Sequence, residues 1–166
     1  MRWFLIILLS CWITTAQSQE LECKCCNAQS SAFDFWLGEW NVTDAAGKAA
    51  GQNSIDKLQN GCVLRENWTS ATSGYTGTSY NFYSYDSKQW QQLWLDNQGG
   101  NLQLAGERVG QQMIMSSEKA LNRQGQEVQH SITWTLNDDG SVRQLWETTT
   151  AGELQVAFDG LYKKIK

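Results

Sequence analysis

Period-two alternation of apolar and polar positions runs through much of the chain beyond residue 38. In "HSITWTL", His130, Ile132, Trp134 and Leu136 fall on one face, and Ser131, Thr133 and Thr135 on the other. In "LQVAFDGLY" the shared face is Leu154, Val156, Phe158 and Tyr162. Such alternation marks strands with one buried face. Turn signals separate the segments at 44–47, 60–61, 73–74, 86–87, 97–100, 110, 122–125, 137–140 and 151–152. "NQGG" and "NDDG" among them are strong hairpin signals. These nine turns divide the chain into ten short segments rich in β-branched and aromatic residues, with strands expected over 62–70, 75–85, 88–97, 126–136 and 141–150 among them.

Sequential strands joined by short turns form a meander. An open meander of ten strands leaves two bare edges, and closure removes both. No long helical pattern is available to cover a sheet. The expected fold is therefore all-β: an up-and-down antiparallel barrel of about ten strands, wide enough for an interior cavity. A two-sheet sandwich is the alternative, but it usually needs longer cross-connections.

The barrel is preceded by "FDFWLGEW", residues 33–40. Ser30 or Ser31 can cap a short helix on which Phe33, Trp36 and Leu37 share a face. Gly38 can end it. Trp40 and Val42 then fall on one face of the first strand. Phe33, Trp36, Leu37 and Trp40 are read as a structural plug at one barrel end.

Residues 1–18 read as a secretory signal peptide. Arg2 is the positive region, residues 3–13 are apolar, and Ala16 and Ser18 flank a small-residue cleavage point. The mature chain would start at Gln19 and carry no transmembrane segment. "LLSC", ending at Cys11, partly matches a lipidation box, but it comes early and contains the bulky Leu9. The remaining chain divides into a cysteine-containing segment at 19–31 and a barrel domain at 32–166. Export places the protein in the periplasm or outside the cell.

Export also changes the reading of the cysteines. Cys23, Cys25, Cys26 and Cys62 remain after cleavage, an even number in an oxidising compartment. Three pairings are possible. Joining adjacent Cys25 and Cys26 would strain the backbone, whereas a bridge from "CKCC" to Cys62 would tie the leading segment to the barrel. A thiolate metal site does not fit, because Cys23-x-Cys25-Cys26 is not a zinc spacing and the chain has one histidine. The formal net charge is −4 and no basic run is present, which argues against nucleic acid as a partner. Nothing in the sequence speaks to oligomeric state.

Alternation also nominates an interior. Leu64, Glu66 and Trp68 share a face, as do Trp90, Gln92, Trp94 and Asp96, and Val142, Gln144 and Trp146. If the tryptophans point inward, Glu66, Gln92, Asp96, His130 and Gln144 go with them. Flat rings with a few polar anchors are the usual make-up of a small-molecule site. The candidate ligand contacts are Glu66, Trp68, Trp94, Asp96, Trp134, Gln144 and Trp146. Leu93 and Leu95 compete for the interior of strand 88–97, and a one-residue slip there would send Trp94 and Asp96 outward. Paired carboxylates such as Glu66 and Asp96 would also suit general acid–base work. His130 can be considered for haem iron, although a lone histidine beside a turn is more often ordinary. Phosphate-loop, dinucleotide and serine–histidine–acid signatures are absent from the sequence, and neither a cofactor nor a metal is expected.

Gly38-x-Trp40 at the first strand resembles the glycine-x-tryptophan signature of lipocalins and related calycins. In those proteins the tryptophan packs across the closed barrel end, under an arginine near the last strand; here that region offers Lys163 and Lys164. The longer series "FDFWLGEW", "ENW" at 66–68, "NFY" at 81–83, "LWLD" at 93–96, "ITWT" at 132–135, "RQLWE" at 143–147 and "AFDGLY" at 157–162 resembles an exported bacterial family of unknown function with a lipocalin-like fold. The resemblance covers about residues 22–164 and implies fold and export, without catalytic residues to carry over. The functional expectation is a barrel that binds a small, partly apolar molecule. The alternatives are a carboxylate-dependent hydrolase or isomerase acting inside the barrel, and a structural envelope protein with a filled interior.

Overall fold

The computed structural model describes residues 23–165. The expected leader at 1–18, with Cys11 and the Gln19 start, lies outside the described residues. Eleven strands follow in order: β1 (Gly38–Asp44), β2 (Ala49–Leu58), β3 (Val63–Ser70), β4 (Thr76–Ser84), β5 (Gln89–Asp96), β6 (Asn101–Val109), β7 (Gln112–Ser116), β8 (Ala120–Leu121), β9 (Glu127–Leu136), β10 (Val142–Thr150) and β11 (Glu153–Lys164). All pairings are antiparallel. Ten strands form a closed meander in which β7 pairs with β9 and β11 returns to β1, with Trp40 opposite Lys164 and Asp44 opposite Gly160. The two-residue β8 hangs on β9 as a short flap. Closure leaves ten staves without a bare lateral edge over most of their length, as the meander pattern required.

The N-terminal helix differs from expectation. Residues 24–33 form turns, and a single 3-10 turn at Asp34–Trp36 follows, with no side-chain cap. The serines are spent elsewhere. The Ser31 hydroxyl donates to the Asn27 carbonyl at 2.8 Å, and the Ser30 hydroxyl meets the Tyr85 hydroxyl at 3.0 Å. Gly38, at φ 125°, then turns the chain into β1 through a backbone region that side chains disfavour.

The rings of this segment fill one end of the barrel. Phe33, Trp36 and Trp40 are fully buried, and Leu37 packs against them half-buried. Phe33 stacks on Trp36 at 5.0 Å and meets Trp90 and Trp134 edge-on. Trp40 donates its indole N–H to the Trp36 carbonyl at 2.9 Å, and Lys164 lies over its ring at 5.2 Å. Polar contacts clamp the rim: Lys57 pairs with Asp34 at 2.7 Å, and Arg108 donates to the Ala32 carbonyl while covering the Phe35 ring.

Two disulfides pin the leading segment, Cys23–Cys26 and Cys25–Cys62. The second runs from the segment to the 3-10 turn at Gln59–Gly61 that links β2 to β3. The first closes a loop of three residues' separation and constrains little of the unfolded chain. Replacing Cys23 and Cys26 by serine is therefore expected to cost about 2 kcal/mol or less in the chain-entropy model. A urea midpoint that falls further would show that this loop holds more of the fold than its length implies.

One face assignment is corrected. Trp146 pairs with Phe158 but Glu147 pairs with Val156, so Ala157 is an extra residue in β11. A bulge exchanges the faces of the residues before it. Leu154 and Val156, expected beside Phe158 and Tyr162, are consequently exposed on the outer surface.

Candidate functional site

The turns of a meander alternate between the two barrel ends. The leading segment occupies the end with the β2–β3, β4–β5, β6–β7 and β9–β10 connections. The opposite end carries the β1–β2, β3–β4, β5–β6 and β10–β11 turns and opens into a cavity of about 430 Å³. Trp68 on β3, Trp94 on β5, Trp134 on β9 and Trp146 on β10 line it, as do Glu66 and Gln144. These six side chains share the interior face; on β5, Trp90 and Gln92 are buried, while Leu95 faces out.

Glycines in the walls keep the cavity open. A Cβ at Gly77 would lie 2.1 Å from the Trp94 ring, and one at Gly51 would lie 2.6 Å from the Trp68 ring. These two indoles lie along the wall, each over a glycine of the sheet. Glycine inside a strand often marks such a close approach. Phe158 meets Trp68 edge-on at 5.9 Å and adds a further ring.

The floor is polar and organised around Glu66, which is 4% exposed. Asn53 donates to its Oε1 at 2.7 Å and Ser79 to its Oε2 at 2.6 Å. Asn81 donates to the Ser79 hydroxyl at 2.8 Å, and Gln92 donates to Asn81 at 2.7 Å. Donors from β2, β4 and β5 thus run one way, toward one carboxylate. Burial pushes the Glu66 carboxyl up to about 7, against the lowering effect of Ser79 and Asn53. Beside it, the buried Tyr162 hydroxyl donates to Gln144 Oε1, and burial holds that phenol well above its ordinary range. Trp134 Nε1 is buried without a protein partner among the described residues.

Two expected interior residues are placed differently. Asp96 does not line the cavity. Its Oδ1 accepts the backbone N–H groups of Gln98 and Gly100 at 2.9 and 2.8 Å, and its Oδ2 accepts from Tyr75. Those backbone donors hold its carboxyl below the usual range. The side chain closes the β5–β6 turn, because an aspartate followed by an Asn-Gln-Gly-Gly turn finds its nearest donors in its own backbone. His130 is the other. Its Nδ1 accepts from Trp146 Nε1 at 3.2 Å and meets the Thr148 hydroxyl at 3.0 Å. It therefore orients a cavity tryptophan and does not line the cavity itself, and burial lowers its pKa.

Asn53, Ser79, Asn81, Tyr75 and Tyr162 were not among the candidates. In β4 the signal is inverted: Ser79 and Asn81 are buried, while Tyr80 and Phe82 face outward at 40% and 36% exposure. Asp44 reaches the cavity rim, but its Oδ1 accepts from Ala46 and Lys48 in its own turn. Among the described residues no cluster of metal-ligating side chains occurs, and no helix is long and apolar enough to cross a membrane.

Fold and site together define a closed ten-stranded barrel, stoppered at one end and open at the other over an aromatic cavity with a carboxylate floor. No protein-family model matches the chain, and no curated protein sequence matches it.

Proposed function

We propose that the protein is an exported, calycin-like barrel that binds a small, partly apolar molecule in its interior. The cavity carries this reading: about 430 Å³, walled by four tryptophans, two of which lie over glycines, with a few convergent polar groups on its floor. A barrel evolved only for stability would be filled by side chains. The placement of Trp40 beneath Lys164 at the stoppered end is what a lipocalin-like signature calls for, with lysine in the place of arginine. The two disulfides suit an oxidising compartment outside the cytoplasm. Catalysis by paired carboxylates has less support, since Asp44 and Asp96 are committed to their own turns and leave Glu66 as the lone acid on the floor.

Native mass spectrometry of protein purified from its own host tests the reading. A non-covalent adduct is expected on the wild type and is expected to be lost from Gly77→Ala, in which the Trp94 ring must swing off the wall into the cavity. Wild-type protein with its bare mass, and with tryptophan emission unmoved by a panel of small aromatic and aliphatic compounds, would contradict a binding role.

A further inference from the structure

Building on that binding role, we propose that the occupant is an organic cation: a protonated amine on a flat aromatic or apolar body, its ammonium group seated against Glu66. The charges of the cavity carry this first. Its lining contains two carboxylates, Asp44 and Glu66, and no lysine, arginine or histidine. An anionic ligand would meet two like charges and no counter-charge.

The second support is the geometry at Glu66. Each carboxylate oxygen receives one protein donor, from Asn53 or Ser79, so each retains acceptor capacity. Among the described residues no cation pairs with it. A buried, ionised carboxylate is costly unless an opposite charge compensates it. Its hydrogen-bond partners on the neighbouring strands, Asn53 and Ser79, are neutral. The titratable groups that interact with it electrostatically are the phenols of Tyr162 on β11 and Tyr75 on the β3–β4 loop, and they do not supply positive charge.

The walls supply the third. Trp68, Trp94, Trp134 and Trp146 present indole surfaces to the same space. Indole faces attract cations and stack on flat apolar bodies, so one set of rings serves both halves of an aryl amine. Because burial holds the Glu66 carboxyl near neutrality, seating an ammonium group there expels a proton at pH 7.

Three indoles of matched shape test the proposal by calorimetry with the wild-type protein at pH 8: tryptamine, indole-3-ethanol and indole-3-acetate. Tryptamine is expected to bind at least about tenfold more tightly than the alcohol, with the acetate weakest. Glu66→Gln should abolish the advantage of tryptamine over the alcohol, and a circular dichroism spectrum that matches the wild type's shows that the barrel is still formed. At pH 7, titrations in two buffers of different ionisation enthalpy should report about half a proton released per tryptamine bound. An alcohol or acetate that matches tryptamine, or tryptamine binding that ignores Glu66→Gln, would overturn the amine and leave a binding barrel of other specificity. A host-derived adduct without a basic nitrogen would do the same. Failure of all three indoles to bind would also refute the amine, and the native mass spectrum would then decide the binding role separately.

Discussion

Trp40→Ala is expected to lower the unfolding free energy by about 3–5 kcal/mol and the melting temperature by something on the order of 10 °C. Trp40 is completely buried, and three separate contacts meet at its ring. Its N–H holds the Trp36 carbonyl, which fixes the 3-10 turn to β1. Its face lies under Lys164, and its edge approaches Tyr162 at 6.3 Å; both residues belong to β11, so the ring also seals the seam where the barrel closes. Alanine would remove the ring's volume, the donor and the link across the seam together. Trp40→Phe keeps much of the ring and loses the donor with part of the volume, so its expected cost is smaller, about 1–2 kcal/mol. Guanidinium denaturation of both variants measures the difference. A loss of less than about 1 kcal/mol for Trp40→Ala would show that the stopper is not a structural element. Ligand affinity should survive the substitution wherever the protein remains folded, because Trp40 lies outside the cavity lining.

Much of the barrel was legible because strand signals are local. Asn-Gly, Asp-Gly and Gly-Gly pairs need particular backbone angles, and each of the nine turn signals falls between strands. What failed was what local chemistry does not mark. The expected single strand after Gly110 breaks into β7 and β8 at residues 117–119, where neither glycine nor proline signals a turn. The break is held instead by Ser117, which exchanges hydrogen bonds with the backbone of His130 on β9. The bulge at Ala157 is equally silent. Leu154 and Val156 keep perfect alternation with Phe158 in the sequence, and only the pairing with β10 shows that one residue is skipped. The leading helix was overestimated for a related reason: Ser30 and Ser31 can cap, but long-range partners such as Tyr85 claimed one of them.

The cavity was legible to the extent that tryptophans report their own face. Trp68, Trp94 and Trp146 each carried a polar neighbour inward by period two, which gave Glu66, Gln92 and Gln144, whereas Trp134 is flanked by Ile132 and Leu136. Alternation ends where a strand ends. Asp96 is the last residue of β5, so the adjoining turn decided its role. The donors of Glu66 were hidden because hydrophobicity misreads β4. Tyr80 and Phe82 look like the buried face, yet Ser79 and Asn81 are inside, stabilised by a carboxylate on the neighbouring strand β3 that they serve in turn. A buried acid with its own chain of donors is a property of four adjacent strands, β2 to β5, and no single segment of sequence carries it.

That acid is also the source of the second large effect. Rising pH is expected to remove about 3 kcal/mol of wild-type stability between pH 4.5 and 7 through Glu66 alone. The sign follows from the direction of the shift. Burial raises the folded-state carboxyl from 4.5 to about 7, and the unfolded chain titrates near the lower value. Below 4.5 both states hold the proton, and the contribution is fully present. Between the two values the unfolded chain releases its proton while the folded chain keeps it, so unfolding gains about 1.4 kcal/mol for each pH unit. Above 7 both states are ionised and the slope ends. Asp96, Asp139 and Asp159 have lowered pKa values and act in the opposite sense, losing their contribution as the pH falls. They are common to wild type and Glu66→Gln, so subtracting the two proteins isolates Glu66. The glutamine keeps the shape and an acceptor for Asn53 but cannot ionise. It should therefore gain on the wild type steadily from pH 4.5 to 7 and be at least as stable at pH 8. Urea denaturation of both proteins at pH 5, 6, 7 and 8 reads this directly. Parallel stability curves would mean that Glu66 titrates alike in the folded and unfolded chains, and that the floor of the cavity does not exclude water as its burial requires.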